Sequence, residues 1–350
     1  MAETDVMETK TAGAAKRKLN MARAISEAIA QEMRRDDRVF CMGEDIRHVG
    51  GVWGHTAGLY EEFGAARIID TPISETGFIG AGVGAAIEGM RPIVDLMFVD
   101  FFGVCMDQIY GSAGKIPYMS GGRVNVPMVI NTAVGGAYCD AAQHSQCLYA
   151  TFAHLPGLKV VLPSNSYDAK GMMTAAIRDD DPVIFMMHKN CLGVPFLGLE
   201  ERATLHVPRE QYVVPLNEAK VVRAGSDLTI VSLGICLYHS LDAADRLAKE
   251  NISAEVIDLR SIAPLDRKTI SRSVAKTGRL VVVDDDYMSY GIGAEVIASV
   301  VETDLSALKA APRRVAFPDI SIPYSRPMEQ FALPNADKVY EAAKQTLRNG

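Results

Sequence analysis

Two α/β domains, each a mostly parallel sheet faced by helices, are what this 350-residue sequence predicts. Three features predict them. Short apolar runs alternate with helical patterns along the chain, as in βαβ units. The runs are nearly all apolar, as strands are when both faces of a sheet are covered. The alternation breaks once, between Cys191 and about Leu216, where three prolines (Pro195, Pro208 and Pro215) fall in a stretch without a clean period. A chain of this length also exceeds one ordinary core.

The first 18 residues are polar and Ala-rich with no apolar signal-like run, and read as a disordered leader over 1–18. Lys16, Arg17 and Lys18 there read as solvated charges. The first domain is expected over 19–195. Asn20 caps a helix whose apolar face is Met21, Ile25, Ile29 and Met33, with Arg34 and Arg35 suiting its C-terminal dipole. Val39–Met42 reads as a buried strand closed by Gly43-Glu44-Asp45. The Gly-rich loop from Gly50 to His55 reads as packing. Further strands are expected at Arg67–Asp70, Arg91–Phe98, Pro127–Ile130, Lys159–Leu162 and Pro182–Met187. Helical patterns cover Phe101–Ile116, Ser145–Ala153 and Tyr167–Arg178. After a linker over 196–216, the second domain (217–350) alternates again. Its strands are expected at Leu228–Leu233, Ala254–Asp258, Leu280–Asp284 and Arg314–Phe317. Its helices are expected at His239–Lys249, Lys268–Lys276, Ala294–Glu302 and Ala336–Arg348.

Composition narrows the function. A net charge of −7 argues against nucleic acid as a bulk electrostatic partner. No apolar run reaches the roughly 20 residues of a membrane span. The six cysteines contain no C-x-x-C pair, and the seven histidines no H-x-x-x-H or H-E-x-x-H pattern. A zinc site is therefore not expected, and a reduced protein of the cytoplasm is. No G-x-S-x-G elbow is present.

One stretch stands apart: Ile69–Gly84, IDTPISETGFIGAGVG. Between Asp70 and Glu88, Glu75 is its only charged side chain. Such an acid is either a surface accident or a group whose position matters. The glycines Gly80, Gly82 and Gly84 look like half of a dinucleotide fingerprint, but the third arrives one residue early. Glu75 would also set a like charge before a pyrophosphate. Close packing explains these small residues better. His144 lies in a loop at the end of a strand, where open α/β sheets place working residues; capping beside Ser145 is the alternative. Phe101, after Asp100, reads as core or as a stacking platform. Arg178-Asp179-Asp180-Asp181 reads as a solvated turn or as a nest for a hard cation. Spacing alone leaves enzyme and binding module open.

The segments DTPISETGFIGAGVGAA, LMFVDFFGVCMDQI, YMSGG, AAQHSQ, PGLKVVLPS, DAKGMM, AIRDDDPV and EVIDLRSIAPLD resemble the beta subunit of 2-oxo acid dehydrogenase first components. These are the thiamine-diphosphate-dependent enzymes of the pyruvate, branched-chain and acetoin dehydrogenase complexes. LMFVDFFGVCMDQ and QEMRRD are most similar to acetoin dehydrogenase. The resemblance runs from Leu19 to the C-terminus. It implies a transketolase-like pyrimidine-binding domain followed by a transketolase C-terminal-like domain. No Gly-Asp-Gly occurs, so the motif that binds the diphosphate through magnesium is expected on an alpha subunit, in an α2β2 heterotetramer.

The resemblance also implies site residues. Glu75 matches the acid that shares a proton with the aminopyrimidine ring and so activates the cofactor, and burial is expected to raise its pKa. Phe101 matches the stacking aromatic, Ile73 and Met97 match apolar contacts, and Glu44 matches an acid of the proton network behind the cofactor. His144 matches a histidine facing substrate or the lipoyl group. Met128, Ala176, Ile177, Asp179 and Asp181 match a turn that holds potassium. Asn131 departs from an expected arginine, and His188-Lys189-Asn190-Cys191 from E-H-K or E-N-E; both departures are expected near the substrate side. The implied reaction decarboxylates a 2-oxo acid, or cleaves acetoin, and passes the product to a lipoyl-bearing acyltransferase core. The second domain is the expected docking surface. The alternatives are a transferase or lyase of the same alpha–beta build without a lipoyl complex, and a non-catalytic beta-like scaffold.

Overall fold

The computed structural model describes residues 17–193 and 200–348. The leader 1–18 therefore lies outside the described residues up to position 16, as does the linker at 196–199. Lys18–Leu19 is a short strand paired antiparallel with Leu205–His206. Arg17 is not a solvated charge: its guanidinium forks onto Glu27 at 2.6 and 2.8 Å.

The helix Met21–Arg35 begins where Asn20 accepts the Arg23 N–H at 2.9 Å. It buries Met21, Ile25, Ile29 and Met33 completely. Its first-domain sheet has seven strands. In spatial order they are Ser261–Ala263, Lys159–Val161, Val183–His188, Val129–Val134, Arg91–Phe98, Val39–Gly43 and Ile68–Asp70. All pair in parallel except Ser261–Ala263, which runs antiparallel and comes from the second domain. The second sheet has five strands: Arg313–Phe317, Leu280–Tyr287, Leu228–Ser232, Ala254–Asp258 and Lys220–Arg223, the last antiparallel. The strand interiors are buried Val, Ile, Leu, Phe and Met, as two-sided burial requires.

The domains share their cores; the two large apolar clusters each contain residues of both. Buried polar links join them as well. Arg260 clamps Asp168 at 2.6 and 3.1 Å, Ser164 Oγ donates to Asp258 at 2.8 Å, and His188 Nε2 meets Asp285 Oδ2 at 2.7 Å.

Two predicted helices are interrupted. The run Phe101–Ile116 is a 3-10 turn to Phe101, an α-helix Phe102–Met106 and a π-helix Asp107–Ala113. In place of Ser145–Ala153 only Tyr149–Ala153 is helical, because Leu148 sits at φ 50° and stops the helix there. Among the described residues no helix is long and apolar enough to cross a membrane.

Candidate active site

In a parallel α/β sheet the carboxyl ends of adjacent strands meet along one edge, which is where such folds bind ligands. The residues predicted to meet cofactor and substrate lie at those ends; the predicted potassium turn does not. Ile73 and Glu75 follow Ile68–Asp70, and Glu44 follows Val39–Gly43. Met97 and Phe101 end Arg91–Phe98, and His144 lies on the loop after Val129–Val134. The parallel pairings put these strand ends side by side.

Glu75 is the first residue of the helix Glu75–Ile87, not a residue ahead of it. The helix N-terminus favours its carboxylate. The side chain is only half-buried in this chain, so the burial expected for it is not supplied by the chain's own atoms. The helix touches its surroundings closely on one side. A Cβ at Gly82 would stand 2.6 Å from Val94 Cγ2, whereas one at Gly84 would meet nothing within 4 Å. The glycines serve packing inward and leave a bare surface outward.

Behind Glu75 lies a chain of acids. Glu44 Oε1 is buried with no hydrogen-bond partner. Burial first, then the charges of Glu75, Asp45 and Asp95, push the Glu44 carboxyl above its ordinary range, against a hydrogen bond from the Ser74 N–H. Cys105 stands near the same acid, its thiol pushed up to about 12 by burial and by Glu75. Asp95 is buried and receives the Asn131 amide at 3.2 Å, with His55 Nε2 3.4 Å away. Asn131 therefore belongs to this internal network. That corrects its expected place beside substrate: the strand register sets it directly against Asp95, inside the sheet. His55, read as part of a packing loop, joins the same network.

On the other side of the edge, His144 packs edge-on against Phe98 (4.7 Å between ring centroids, 89°) and Phe101 (5.5 Å, 83°). Phe98 also meets Trp53 at 5.1 Å, and Trp53 Nε1 donates to the Met97 carbonyl at 3.0 Å. Phe101 and His144 are thus neighbours, and the Met97 carbonyl is tied to Trp53 beside them. Ile73 stands away from them, 83% exposed.

His188 and Asn190 are buried, and Lys189 reaches the His144 loop. His188 Nδ1 accepts the Asn190 N–H at 3.2 Å, which leaves Nε2 to donate to Asp285. Burial raises the Asp285 carboxyl, but His188 outweighs it and holds the acid below its ordinary range. The segment His188–Cys191 thus packs under the loop. Sequence reasoning marked Lys189 only as part of a departing segment, and it missed Glu329 and Asp95. Glu329 has no local signal, being 192 residues from its partner Ala137.

Ala176, Ile177, Asp179 and Asp181 lie at the C-terminus of the helix Ser166–Arg178, and the Met128 carbonyl accepts the Val183 N–H at 2.9 Å just beyond it. Their turn already holds side-chain cations. Arg91 donates to the carbonyls of Ile177 (3.0 Å) and Asp179 (2.9 Å) and pairs with Asp180 at 2.5 Å. Lys159 pairs with Asp179 at 2.7 Å and Asp181 at 3.0 Å. Arg178 leaves the turn for the fully buried Glu32. The turn is ion-paired, not merely solvated.

The fold and this edge site define a transketolase-type protein. Residues 17–194 match the model of the transketolase pyrimidine-binding domain, and residues 217–339 that of the transketolase C-terminal domain. A solved split-gene transketolase, an inactive beta4 tetramer, has the same fold: TM-score 0.75 over 95% of this chain and 99% of that one, at 21% identity. Within that class the chain belongs to the beta subunits of the 2-oxo acid and acetoin dehydrogenases. It is 46% identical to the acetoin:2,6-dichlorophenolindophenol oxidoreductase beta subunit of Cupriavidus necator, over 95% of this chain and 99% of that protein. It is 44% identical to the 2-oxoisovalerate dehydrogenase beta subunit of Bacillus subtilis, covering 93% and 97%. The pyruvate dehydrogenase E1 beta-2 subunit of Oryza sativa is 42% identical, covering 95% and 87%.

Proposed function

We propose that this chain is the half of a thiamine-diphosphate site that activates the cofactor, in a dehydrogenase acting on a 2-oxo acid or acetoin and completed by an alpha subunit in an α2β2 assembly. The observation that carries this reading is the half-covered Glu75. It opens a helix at the sheet edge, beside the partnerless buried Glu44 Oε1, with a bare apolar rim of Ile73 (83% exposed) and Val104 (62% exposed) around it. Exposed apolar surface around a carboxylate calls for a covering partner. The unpartnered acid oxygen fits a ligand carrying ring N–H groups.

When bound, the cofactor supplies the electron sink for cleavage of a carbon–carbon bond. Glu75 would hold the proton at the aminopyrimidine ring nitrogen, and Glu44 would take up the charge change behind it. Phe101 would give the ring a face, and Met97 and Ile73 would exclude water. His144, against Phe98 and Phe101, would face substrate and protonate the lipoyl sulfur that receives the acyl group. Magnesium and the diphosphate would be held on the alpha side, since this chain has no Gly-Asp-Gly. Six free cysteines, five of them buried and Cys139 part-exposed, suit a reducing cytoplasm. At the 176–181 turn, Asp179, Asp180 and Asp181 set three carboxylates against the two cations Arg91 and Lys159. The helix C-terminus adds further negative charge, so a monovalent ion such as potassium fits the charge left over.

The test is Glu75→Gln in the enzyme assembled with its alpha subunit. Turnover of pyruvate, branched-chain 2-oxo acids and acetoin is measured with a dye and with a lipoyl domain as acceptor. Turnover should fall by about 10²-fold or more with the tetramer intact. Near-normal turnover, or turnover by the chain alone, would overturn the reading. Activity with the dye but never with any lipoyl domain would favour the build without a lipoyl complex.

A further inference from the structure

The loop from Gly135 to Leu148 carries His144 in a backbone that needs outside support. Gly135, Ala137, Cys139 and Ala141 lie at φ 98°, 73°, 62° and 59°, so three residues with a Cβ occupy the left-handed region within five positions. Such residues are strained and persist only where the surrounding structure imposes them. We propose that Lys189 and Glu329 are positioning residues, one from each domain, that clamp this loop so that His144 stays against Phe98 and Phe101. The proposal rests on the reading of His144 as a group acting at the site.

Glu329 comes from the helix Arg326–Ala332 of the second domain and is wholly buried. Its Oε1 accepts the Ala137 N–H at 2.9 Å and its Oε2 the Cys139 N–H at 3.0 Å. These are two of the three strained residues. Left-handed residues in alternation turn successive N–H groups toward one point, a nest that suits an anion. Here the anion is supplied by the other domain. The intervening Gly136 permits the approach: a Cβ there would stand 3.3 Å from Glu329 Oε1 and from Leu333 Cδ2.

Lys189 holds the loop's far half. Its buried ammonium donates to the His144 carbonyl and, at 3.1 Å, to Asp140 Oδ2. The same nitrogen lies 5.5 Å from the Phe98 ring centroid and 5.6 Å from that of Tyr138. It therefore touches both the backbone of His144 and the ring on which His144 packs. Asn190 adds a bond from its amide to the Gly136 carbonyl at 3.2 Å, and Gly135 N donates to Gln146 O at 3.0 Å to close the base of the loop. In this geometry the attitude of His144 depends on how the second domain sits on the first.

The test uses the enzyme assembled with its alpha subunit. Glu329→Gln and Lys189→Met should each lower kcat by about 10- to 100-fold, the effect of misplacing a reacting group by an ångström, with a smaller change in KM. Lys189→Arg should recover most of the loss. In a His144→Ala background neither should add more than about twofold, because residues acting through one group are not additive. In Glu329→Gln, hydrogen exchange at the Ala137 and Cys139 amides should accelerate while the sheet strands keep their protection. A kcat within twofold of normal for both variants, or losses that multiply with His144→Ala, would refute the clamp. If His144→Ala alone leaves turnover unchanged, the role given to His144 fails. The clamp then stands or falls on the exchange of those two amides.

Discussion

Asp258→Asn should stabilise the protein, and more so in alkali. Asp258 ends the strand Ala254–Asp258 at the seam between domains and is fully buried. Its Oδ1 accepts from Ser164 Oγ at 2.8 Å and from Arg260 N at 3.3 Å, while Oδ2 has no partner. Burial and then the charge of Asp168 push its pKa to about 7. An unfolded aspartate titrates near 3.9, so the shift of about 3 units corresponds to about 4 kcal/mol between protonation states. The folded pKa is raised, so the folded chain binds the proton more tightly than the unfolded one. Stability from this group is fully present below about pH 4 and is lost as pH rises to about 7. An asparagine keeps both accepted hydrogen bonds and has no charge to desolvate. Subtracting wild type from variant isolates this group from the rest of the titration. The stability gap should widen by about 2–3 kcal/mol between pH 5 and pH 8. Urea unfolding at both pH values measures it, or thermal unfolding where urea is irreversible. A gap of equal size at the two pH values would show that Asp258 is ionised at little cost and refute the account.

Other tests address the glycine helix and the cation turn. Gly82→Ala should destabilise the free chain, because the new methyl meets Val94 Cγ2 at 2.6 Å; overpacking of about 1–3 kcal/mol exceeds the roughly 1 kcal/mol regained by alanine in a helix. Gly84→Phe should leave the free chain's melting temperature almost unchanged, since the position is open, yet weaken capture of the alpha subunit; equal capture would mean that this face is not the seam. For the Asp179–Asp181 turn, replacing sodium by potassium at constant ionic strength should raise the melting temperature, and Asp181→Ala should remove that difference. Identical melting curves in the two salts would mean that Arg91 and Lys159 alone balance the turn.

Legibility followed periodicity and charge. Arg91–Phe98 and Ala254–Asp258 have the expected bounds because a mostly apolar, β-branched run between turn residues leaves few alternatives. Glu75 was legible because it is the lone charge in an apolar stretch. The half of the site around His144 was legible only as a loop, since its shape rests on contacts far away in sequence. The helix predicted over Phe101–Ile116 fails for a local reason. Asp107 turns back over Gly111, where a Cβ would lie 2.4 Å from Asp107 Oδ1, and the turns there widen to a π-helix. Glu32, an acid with no expectation from sequence, is wholly buried on its helix. It is buried because Arg178 and Arg35 converge on it, which no one-dimensional pattern shows.

The two departures from the family pattern then acquire a physical meaning. A buried arginine at position 131 would bring a full charge that Asp95 must neutralise. Asn131 brings no charge: its amide donates to Asp95 while its buried Oδ1 has no partner, and His55 Nε2 stands 3.4 Å from the same acid. The charge on Asp95 then acts outward, as one of the influences raising Glu44. At position 188 an acid would stand against the buried Asp285, where the histidine meets it at 2.7 Å instead. Both changes therefore rebalance charge inside this chain. They reach the site through Glu44 on one side and, through Lys189, the His144 loop on the other. The proposed function puts substrate choice on the uncovered side, beside the exposed rim of Ile73 and Val104. A substrate screen with the assembled pair can therefore shift with the alpha subunit while Asn131 and His188 stay constant.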